Sequence, residues 1–269
     1  VANTPAASPA STTSARSVSE GPSNALRVAV IGASGGIGAA LVGALAKRDD
    51  VATIHATHHR SPAAGSKASV GAYAEHCELH HHALDATDAV AVEGFMAAVG
   101  EIDWLINCVG MLHDGEHGPE KSIGQFESEH FLRSMEINCL PTLLLGKHAA
   151  RALGKSERGV FATVSARVGS ITDNGLGGWY SYRASKAALN MSLKCLAIEW
   201  GRTRKRLRVA ALHPGTTDTS LSAPFQANVP AGKLFSPSQT AGYLLARIDA
   251  LHDGPSGRFL AWDGEEIPW

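Results

Sequence analysis

The sequence predicts an α/β protein, a doubly wound and mostly parallel sheet of about seven strands with helices on both faces of a single domain. Three observations carry that expectation. From Arg27 onward, short apolar runs rich in β-branched residues alternate with stretches of helical periodicity. A glycine turn, Gly32-Ala33-Ser34-Gly35-Gly36-Ile37-Gly38, joins the first such run to the first helical stretch. Small or polar residues also close run after run, at Gly32, Asp85, Gly110, Ser165 and Pro214. In a parallel sheet these ends share one edge, and ligands bind outside it.

With 269 residues, 44% of them hydrophobic, the chain can bury one sizeable core, and the folded domain is expected over residues 25–269. Residues 1–24 are rich in Ala, Ser, Thr and Pro, hold Arg16 and Glu20 as their charged groups, and are expected to be a disordered leader. Two readings of that leader stay open: a transit peptide for organelle import, or a linker on a cytoplasmic protein. A net charge of −1 gives no electrostatic footprint for nucleic acid. The basic run Arg202 to Arg208 reads as cations near a helix C-terminus. No apolar run approaches the ~18 residues of a membrane span, so neither membrane nor nucleic acid is an expected partner. The four cysteines, Cys77, Cys108, Cys139 and Cys195, form no Cys-x-x-Cys pair, which argues for a reducing compartment and against a zinc knuckle.

The elements follow in order. Arg27–Ile31 is the first strand, and the helix after the glycine turn runs through Leu41, Leu45 and Lys47. In that context Gly32, Ser34, Gly35, Gly36, Ile37 and Gly38 are expected to bring backbone N–H groups up to a pyrophosphate, although the Gly-x-x-x-Gly-x-Gly spacing departs from Gly-x-Gly-x-x-Gly. The second strand, Val51 to Thr57, ends in Ala56-Thr57-His58-His59-Arg60-Ser61 without an acid for a ribose 2′-hydroxyl. Asp49 and Asp50 precede the strand and so lie at the wrong end. Arg60, with His58 or Ser61 as helpers, instead suits a 2′-phosphate, favouring NADP over NAD.

On the third strand, Leu79 to Leu84, the three histidines His80, His81 and His82 alternate faces and cannot converge on one ion, so no metal is expected there. Asp85 ends this strand, where it could meet an adenine edge, and Ala86-Thr87-Asp88 opens a helix through Val92, Phe95 and Val99. The fourth strand, Ile102 to Gly110, leaves Asn107 and Gly110 where a cofactor would pass. The long loop Met111 to Ser128, with His113, Asp114, Glu116 and His117, is expected to wall the substrate cleft.

In the next helix Pro141 should bend the axis and release a carbonyl, leaving a buried Asn138 able to hold water beside the irregularity. Gly159–Ala166 is the fifth strand, with Ser165 at its end. On the helix that follows, Tyr182 and Lys186 stand one turn apart on one face. An ammonium beside a phenol is expected to lower the phenol's pKa from about 10, giving an acid/base pair for carbonyl chemistry. The sixth strand, Leu207 to Leu212, stops at His213-Pro214-Gly215. A flexible lid is expected over Thr216 to Phe235, then a helix over Ser238 to Leu251 and a strand over Gly257 to Ala261.

Taken together, Gly32-x-x-x-Gly36-x-Gly38, Asn107-Cys108-Val109-Gly110, Asn138, Ser165, Tyr182-x-x-x-Lys186 and Pro214-Gly215 followed by Thr219 resemble the Rossmann-like short-chain dehydrogenase/reductase family over about residues 27 to 269. Ser165 to Ile171, Tyr180 to Lys186 and the ending Asp263 to Trp269 look like the branch of the C-factor signalling proteins and the sniffer-type carbonyl reductases. The resemblance implies an NADPH-dependent oxidoreductase that reduces a carbonyl of a small molecule, or runs the reverse reaction. In it Tyr182 would be the acid/base, Lys186 would tune it and bind the nicotinamide ribose, and Ser165 would hold the substrate oxygen. Asn138 would anchor a relay water, and Thr219 would contact the carboxamide. Self-association through the helices around Asn138 and Tyr182 is implied as well. Cys108 and Val109 depart from the family's Asn-Asn-Ala-Gly. The alternative is a dinucleotide-binding signalling or regulatory protein of C-factor type, against which an intact Ser165, Tyr182 and Lys186 argue. An epimerase with a large substrate domain is disfavoured because only about 80 residues follow Lys186.

Overall fold

Strand β1 (Leu26–Ile31) is buried on both faces, and this explains why its sequence reads as an unbroken apolar run. The computed structural model of the chain describes residues 25–59, 76–115 and 117–269. After β1 come α1 (Gly36–Leu45), β2 (Val51–His58), β3 (Glu78–Ala83), α2 (Ala89–Val99) and β4 (Trp104–Asn107). Helices α3 (Ser128–Asn138) and α4 (Leu140–Ala152) precede β5 (Val160–Val164), α5 (Tyr180–Thr203) and β6 (Arg208–His213). The chain closes with β7 (Thr216–Thr217), β8 (Leu234–Phe235), α6 (Pro237–Asp249) and β9 (Arg258–Ala261).

Seven strands form one sheet in the order β3-β2-β1-β4-β5-β6-β9, each pair parallel. The order reverses between β1 and β4, a topological switch point at which Gly32 and Asn107 end neighbouring strands. Successive residues serve opposite cores. Val28 and Val30 pack with Leu41, Leu45, Leu244 and Ile248 on the α1/α6 side. Ala29 and Ile31 pack with Phe95, Leu145, Leu189 and Leu193 on the α2/α4/α5 side. No helix among the described residues is long and apolar enough to cross a membrane.

Two expectations about local structure change. Pro141 does not kink one helix but lies in the first turn of a second: α3 ends at Asn138, Cys139 links them at φ −110°, ψ −49°, and α4 begins. Proline fits a first helical turn, where its missing N–H costs no bond. The last helix starts at Pro237, earlier than expected, because Ser236 and Gln239 form a reciprocal capping box. Within the segment Thr216 to Phe235, β7 and β8 pair in parallel and a 3-10 turn covers Ala223–Asn228 between them. The expected leader, residues 1–24, lies outside the described residues.

The histidines of β2 and β3 divide by strand alternation. His55 Nδ1 sits 3.1 Å from His82 Nε2, with its ring stacked on His80, and His58 Nε2 sits 2.8 Å from His81 Nδ1. Burial, then the neighbouring rings of His82 and His80, depresses His55 to about 4. Burial, then Arg167, depresses His213 to about 4 as well. His58 and His82 shift downward through burial and the adjacent rings. A histidine depressed in the folded state stays neutral there while the unfolded chain already binds its proton near 6.5. Stability is therefore complete above about pH 6.5 and declines as pH falls toward about 4. Thermal unfolding should show Tm level from pH 8 to 7 and falling from about 6.5, before carboxylates protonate. A Tm unchanged between pH 6.5 and 5 would contradict this account.

Candidate active site

The glycine turn fits a dinucleotide because side chains are excluded where the backbone must approach closely. Gly32 has φ +80°, and its N–H donates to Thr57 Oγ1 at 3.1 Å. A Cβ on Gly36 would lie 2.6 Å from Thr219 Cγ2, and one on Gly38 would overlap Gly32 O. The turn thus packs α1 directly onto the strand end and leaves its N-terminal N–H groups at the sheet edge. Gly32, Ser34, Gly35, Asp85 and Gly110 border one cavity of about 290 Å³ at that edge, together with His59 and Arg133.

Asp85 Oδ1 accepts from Thr87 N and Oγ1 at 2.9 and 2.6 Å, which with nearby His59 holds its carboxyl below the usual range. Asp50, at the opposite end of β2, is engaged by Arg48 at 2.8 Å and Arg158 at 3.3 Å. Of the two helpers named for a 2′-phosphate, His58 is buried against His81, and His59 is the histidine that lines the cleft. Arg60 and Ser61 lie outside the described residues. Asn107 is fully buried and turned inward: it donates to Thr142 Oγ1 at 3.2 Å and accepts from Val109 N at 3.0 Å, shaping the strand end.

A second cavity, about 260 Å³, brings Ser165, Tyr182 and Lys186 together with Ile37, Gly110, Pro214, Gly215 and Thr219. Lys186 is 3% exposed, and its Nζ donates to Val164 O at 3.2 Å. Burial lowers its pKa to about 8, with the nearby Cys108 and Cys139 thiols opposing the shift. Its surroundings admit it only through two glycines. A Cβ on Gly110 would stand 3.3 Å from Nζ, and one on Gly169 would stand 2.8 Å from Lys186 Cβ. Tyr182 is buried, and burial drives its phenol above the ordinary value. This reverses the expected direction. Lys186 Nζ lies 5.8 Å from the Tyr182 ring centroid and spends a hydrogen bond on Val164 O, so removal from water outweighs its field. Burial also pushes the Cys108 thiol up to about 12, which disfavours its thiolate.

Ser165 Oγ donates to Asn190 Oδ1 at 2.7 Å, and Asn190 Nδ2 donates to Gly169 O at 3.2 Å. Asn138 is clasped from both sides. Its Oδ1 accepts from Met111 N at 2.7 Å, while Nδ2 donates to Met111 O at 2.9 Å and Ser185 Oγ at 3.0 Å. Sequence reasoning passed over Asn190, whose spacing of four from Lys186 on the same helix was an available signal. It also passed over Glu120, for which no local pattern exists. Glu120, 3% exposed, caps α5: it accepts from Ser181 N at 3.2 Å and from Ser181 Oγ, and its backbone O accepts from Trp179 N at 2.5 Å. That clasp holds Trp179 at φ +53°, the one left-handed non-glycine among the described residues, just before the helix that carries Tyr182. Trp179 lies 6.2 Å from the Tyr182 ring and 5.5 Å from Phe225, which roofs the cavity from the segment between β7 and β8.

Comparison with known proteins agrees with this geometry. The short chain dehydrogenase family pattern matches residues 27–230. C-signal of Myxococcus xanthus is 32% identical over 170 residues, covering 63% of this chain and 94% of C-signal. The 1-hydroxy-2-glutathionyl-2-methyl-3-butene dehydrogenase of Rhodococcus sp. (strain AD45) is 31% identical over 69% of this chain and 78% of its own length. The solved structure of the carbonyl reductase Sniffer of D. melanogaster superposes with a TM-score of 0.76 at 20% identity, covering 91% of this chain and all of that one.

The Glu120 cap gives a direct test. Glu120→Ala strands the buried Ser181 donors and should cost about 1–3 kcal/mol, seen as a lower Tm, with slower turnover because Tyr182 loses its support. Glu120→Gln keeps one acceptor oxygen for the Ser181 donors and should recover part of both. Equal Tm values for wild type and Glu120→Ala would remove the cap from the account.

Proposed function

The chain belongs to the short-chain dehydrogenase family, and from that premise we propose that it is an NADPH-dependent oxidoreductase reducing the carbonyl of a small molecule, or running the reverse reaction. The observation that carries this reading is the convergence of Ser165, Tyr182 and Lys186 on one cavity beside the end of the glycine turn. The close approach of Gly110 to Lys186 Nζ and the bare turn at Gly36 fit a nicotinamide dinucleotide. Gly32, Ser34, Gly35, Gly36, Ile37 and Gly38 would hold its pyrophosphate, Asp85 its adenine end, and Lys186, Pro214, Gly215 and Thr219 its nicotinamide end. When bound, the reduced nicotinamide supplies a hydride. Preference for NADP rests on a β2 end without an acid, on His59 in the cleft, and on Arg60.

The chain's own residues handle the proton. Tyr182, held protonated by burial at neutral pH, donates its phenolic proton to the substrate oxygen as negative charge develops there. The Ser165 hydroxyl, which donates to Asn190 Oδ1, turns its O–H to the same oxygen when substrate binds. Lys186 remains largely charged below about pH 8 and offsets the charge left on Tyr182. Asn138 Oδ1 keeps one acceptor site beyond its bond from Met111 N, and that site suits a relay water. Phe225, Trp179 and Val229 exclude solvent and favour an apolar substrate body.

The similarity to C-signal motivates a second reading, in which dinucleotide binding serves signalling and turnover is incidental. A buried lysine and a buried phenol sharing one cavity weigh against it, since binding alone does not require them. Self-association is also proposed, supported by exposed Leu132 on α3, Leu143 on α4, and Met191 and Ile198 on α5; light scattering at a defined concentration reads it directly.

Trp179 borders the cavity, so fluorescence quenching and energy transfer report cofactor binding without a known substrate. NADPH should bind at least about tenfold more tightly than NADH, a difference of about 1.4 kcal/mol; equal affinity would sink the 2′-phosphate assignment. Tyr182→Phe should reduce carbonyl turnover by at least about 10² while leaving NADPH affinity within a few fold. Undiminished turnover would remove Tyr182 from the mechanism, whereas binding of neither NADPH nor NADH would favour a non-catalytic role. In the reductive direction kcat/KM should fall as pH rises through about 8, where Lys186 loses its charge. Lys186→Arg should move that limb upward.

A further inference from the structure

Asp114, His117 and His130 bring a carboxylate and two imidazoles to one point beside the wall of the substrate cavity. One ligand-capable atom from each lies within 4.8 Å of the others. Asp114 Oδ1 accepts from His117 N at 2.7 Å, and Oδ2 faces the two rings, 3.3 Å from His117 Nδ1 and 3.8 Å from His130 Nδ1. The rings themselves stack with centroids 5.4 Å apart. His130 stands in the first turn of α3 with its side chain 3% exposed, and its Nδ1 has no hydrogen-bond partner among the described residues. Buried polar atoms are almost always partnered, so an unpartnered ring nitrogen directed at a carboxylate and a second imidazole calls for a ligand.

We propose that Asp114, His117 and His130 bind a transition-metal dication of the zinc class. Two imidazoles and one carboxylate match the N/O donor set that zinc takes, whereas calcium and magnesium prefer all-oxygen shells. Ligand atoms about 2.0–2.2 Å from a tetrahedral zinc stand roughly 3.3–3.5 Å from one another. The observed 3.3 and 3.8 Å stand near that spacing, and the three ligand atoms all lie within 4.8 Å of one another. An outer partner is in place too. His117 Nε2 lies 3.1 Å from Glu127 Oε2, so with Nδ1 on the metal the other ring N–H donates to a carboxylate, the usual arrangement around zinc-bound histidine. Three protein ligands leave a fourth position for water.

The role that follows is positional. Asp114 and His117 come from the loop between β4 and α3, and His130 comes from α3, so a bound ion would lash that loop to the helix. On one side of this clamp His113 touches Ser220 O at 3.3 Å and packs on Phe225, which roofs the cavity. On the other side, three residues beyond His117, Glu120 caps α5. Metal occupancy should accordingly act on substrate KM more than on kcat.

The experiment uses the full chain stripped with a chelator and titrated with Co²⁺, then Zn²⁺. One equivalent of Co²⁺ should give a visible d–d band that Zn²⁺ displaces, and Zn²⁺ should raise Tm. Asp114→Asn and His130→Ala should each weaken Co²⁺ binding by at least about tenfold and abolish the Tm increase, and Glu127→Gln should weaken it about tenfold. Joint His80→Gln, His81→Gln and His82→Gln should change neither readout. Asp114→Asn alters a loop side chain, so it decides the matter alone if His130→Ala does not fold. No band at one equivalent, a band retained in Asp114→Asn, or a band lost with the β3 histidines would each overturn the site.

Discussion

The buried ammonium of Lys186 is the constraint on which the site depends. Removing a charge from water is costly, and among the described residues a hydrogen bond to Val164 O offsets part of that cost. The protein can hold it there because both neighbouring segments are pared to glycine. Gly110 at the end of the β4 segment clears the head group, and Gly169 lets the loop after β5 lie on the helix backbone at Lys186 itself. From that packing follow the position of Ser165 on the adjacent strand end, the bond from Ser165 to Asn190 one turn beyond Lys186, and the lowered lysine pKa. A larger residue at 169 would displace α5, and the triad would separate.

The amino end of α5 is fixed by a different means. Helix starts leave N–H groups unsatisfied, and a buried start needs a partner for them. Trp179, in the position before the helix, offers no side-chain acceptor, so Glu120 reaches across from the loop after β4. The same carboxylate loop carries His113 to the roof and Asp114 and His117 to His130. One segment thus joins the cap beneath Tyr182, the Phe225 roof of the cavity at Ser165, Tyr182 and Lys186, and the proposed metal clamp. Asn138 ties in from α3 by holding both backbone groups of Met111, where that loop begins.

The histidines show how geometry sorts identical side chains. On β3 adjacency in sequence guarantees divergence in space, because neighbours on a strand point to opposite faces, and the rings pair with His55 on one side and His58 on the other. His117 and His130, thirteen positions apart, stack because a loop folds back on the first turn of a helix. The conspicuous run is the one that does not converge.

By itself the sequence determined the seven-stranded parallel sheet and the edge at which chemistry gathers, since periodicity, glycine turns and strand-end residues such as Gly32 and Ser165 are local and survive without knowledge of packing. It also marked Tyr182 and Lys186 as one helical face. Boundaries slipped where a cap decided them, as at Ser236, and the Pro141 kink became a helix break because proline's preference for a first turn could be met by starting anew at Leu140. Only the tertiary structure decided the quantities that depend on burial and on distant partners. The phenol's pKa rises because Tyr182 is desolvated, whereas one-dimensional spacing to Lys186 suggested the reverse. Glu120 lies 61 positions from the Ser181 it caps, and His130 meets Asp114 through a loop closure that no pattern announces. Local chemistry is written in residue order, but desolvation and convergence belong to the folded chain.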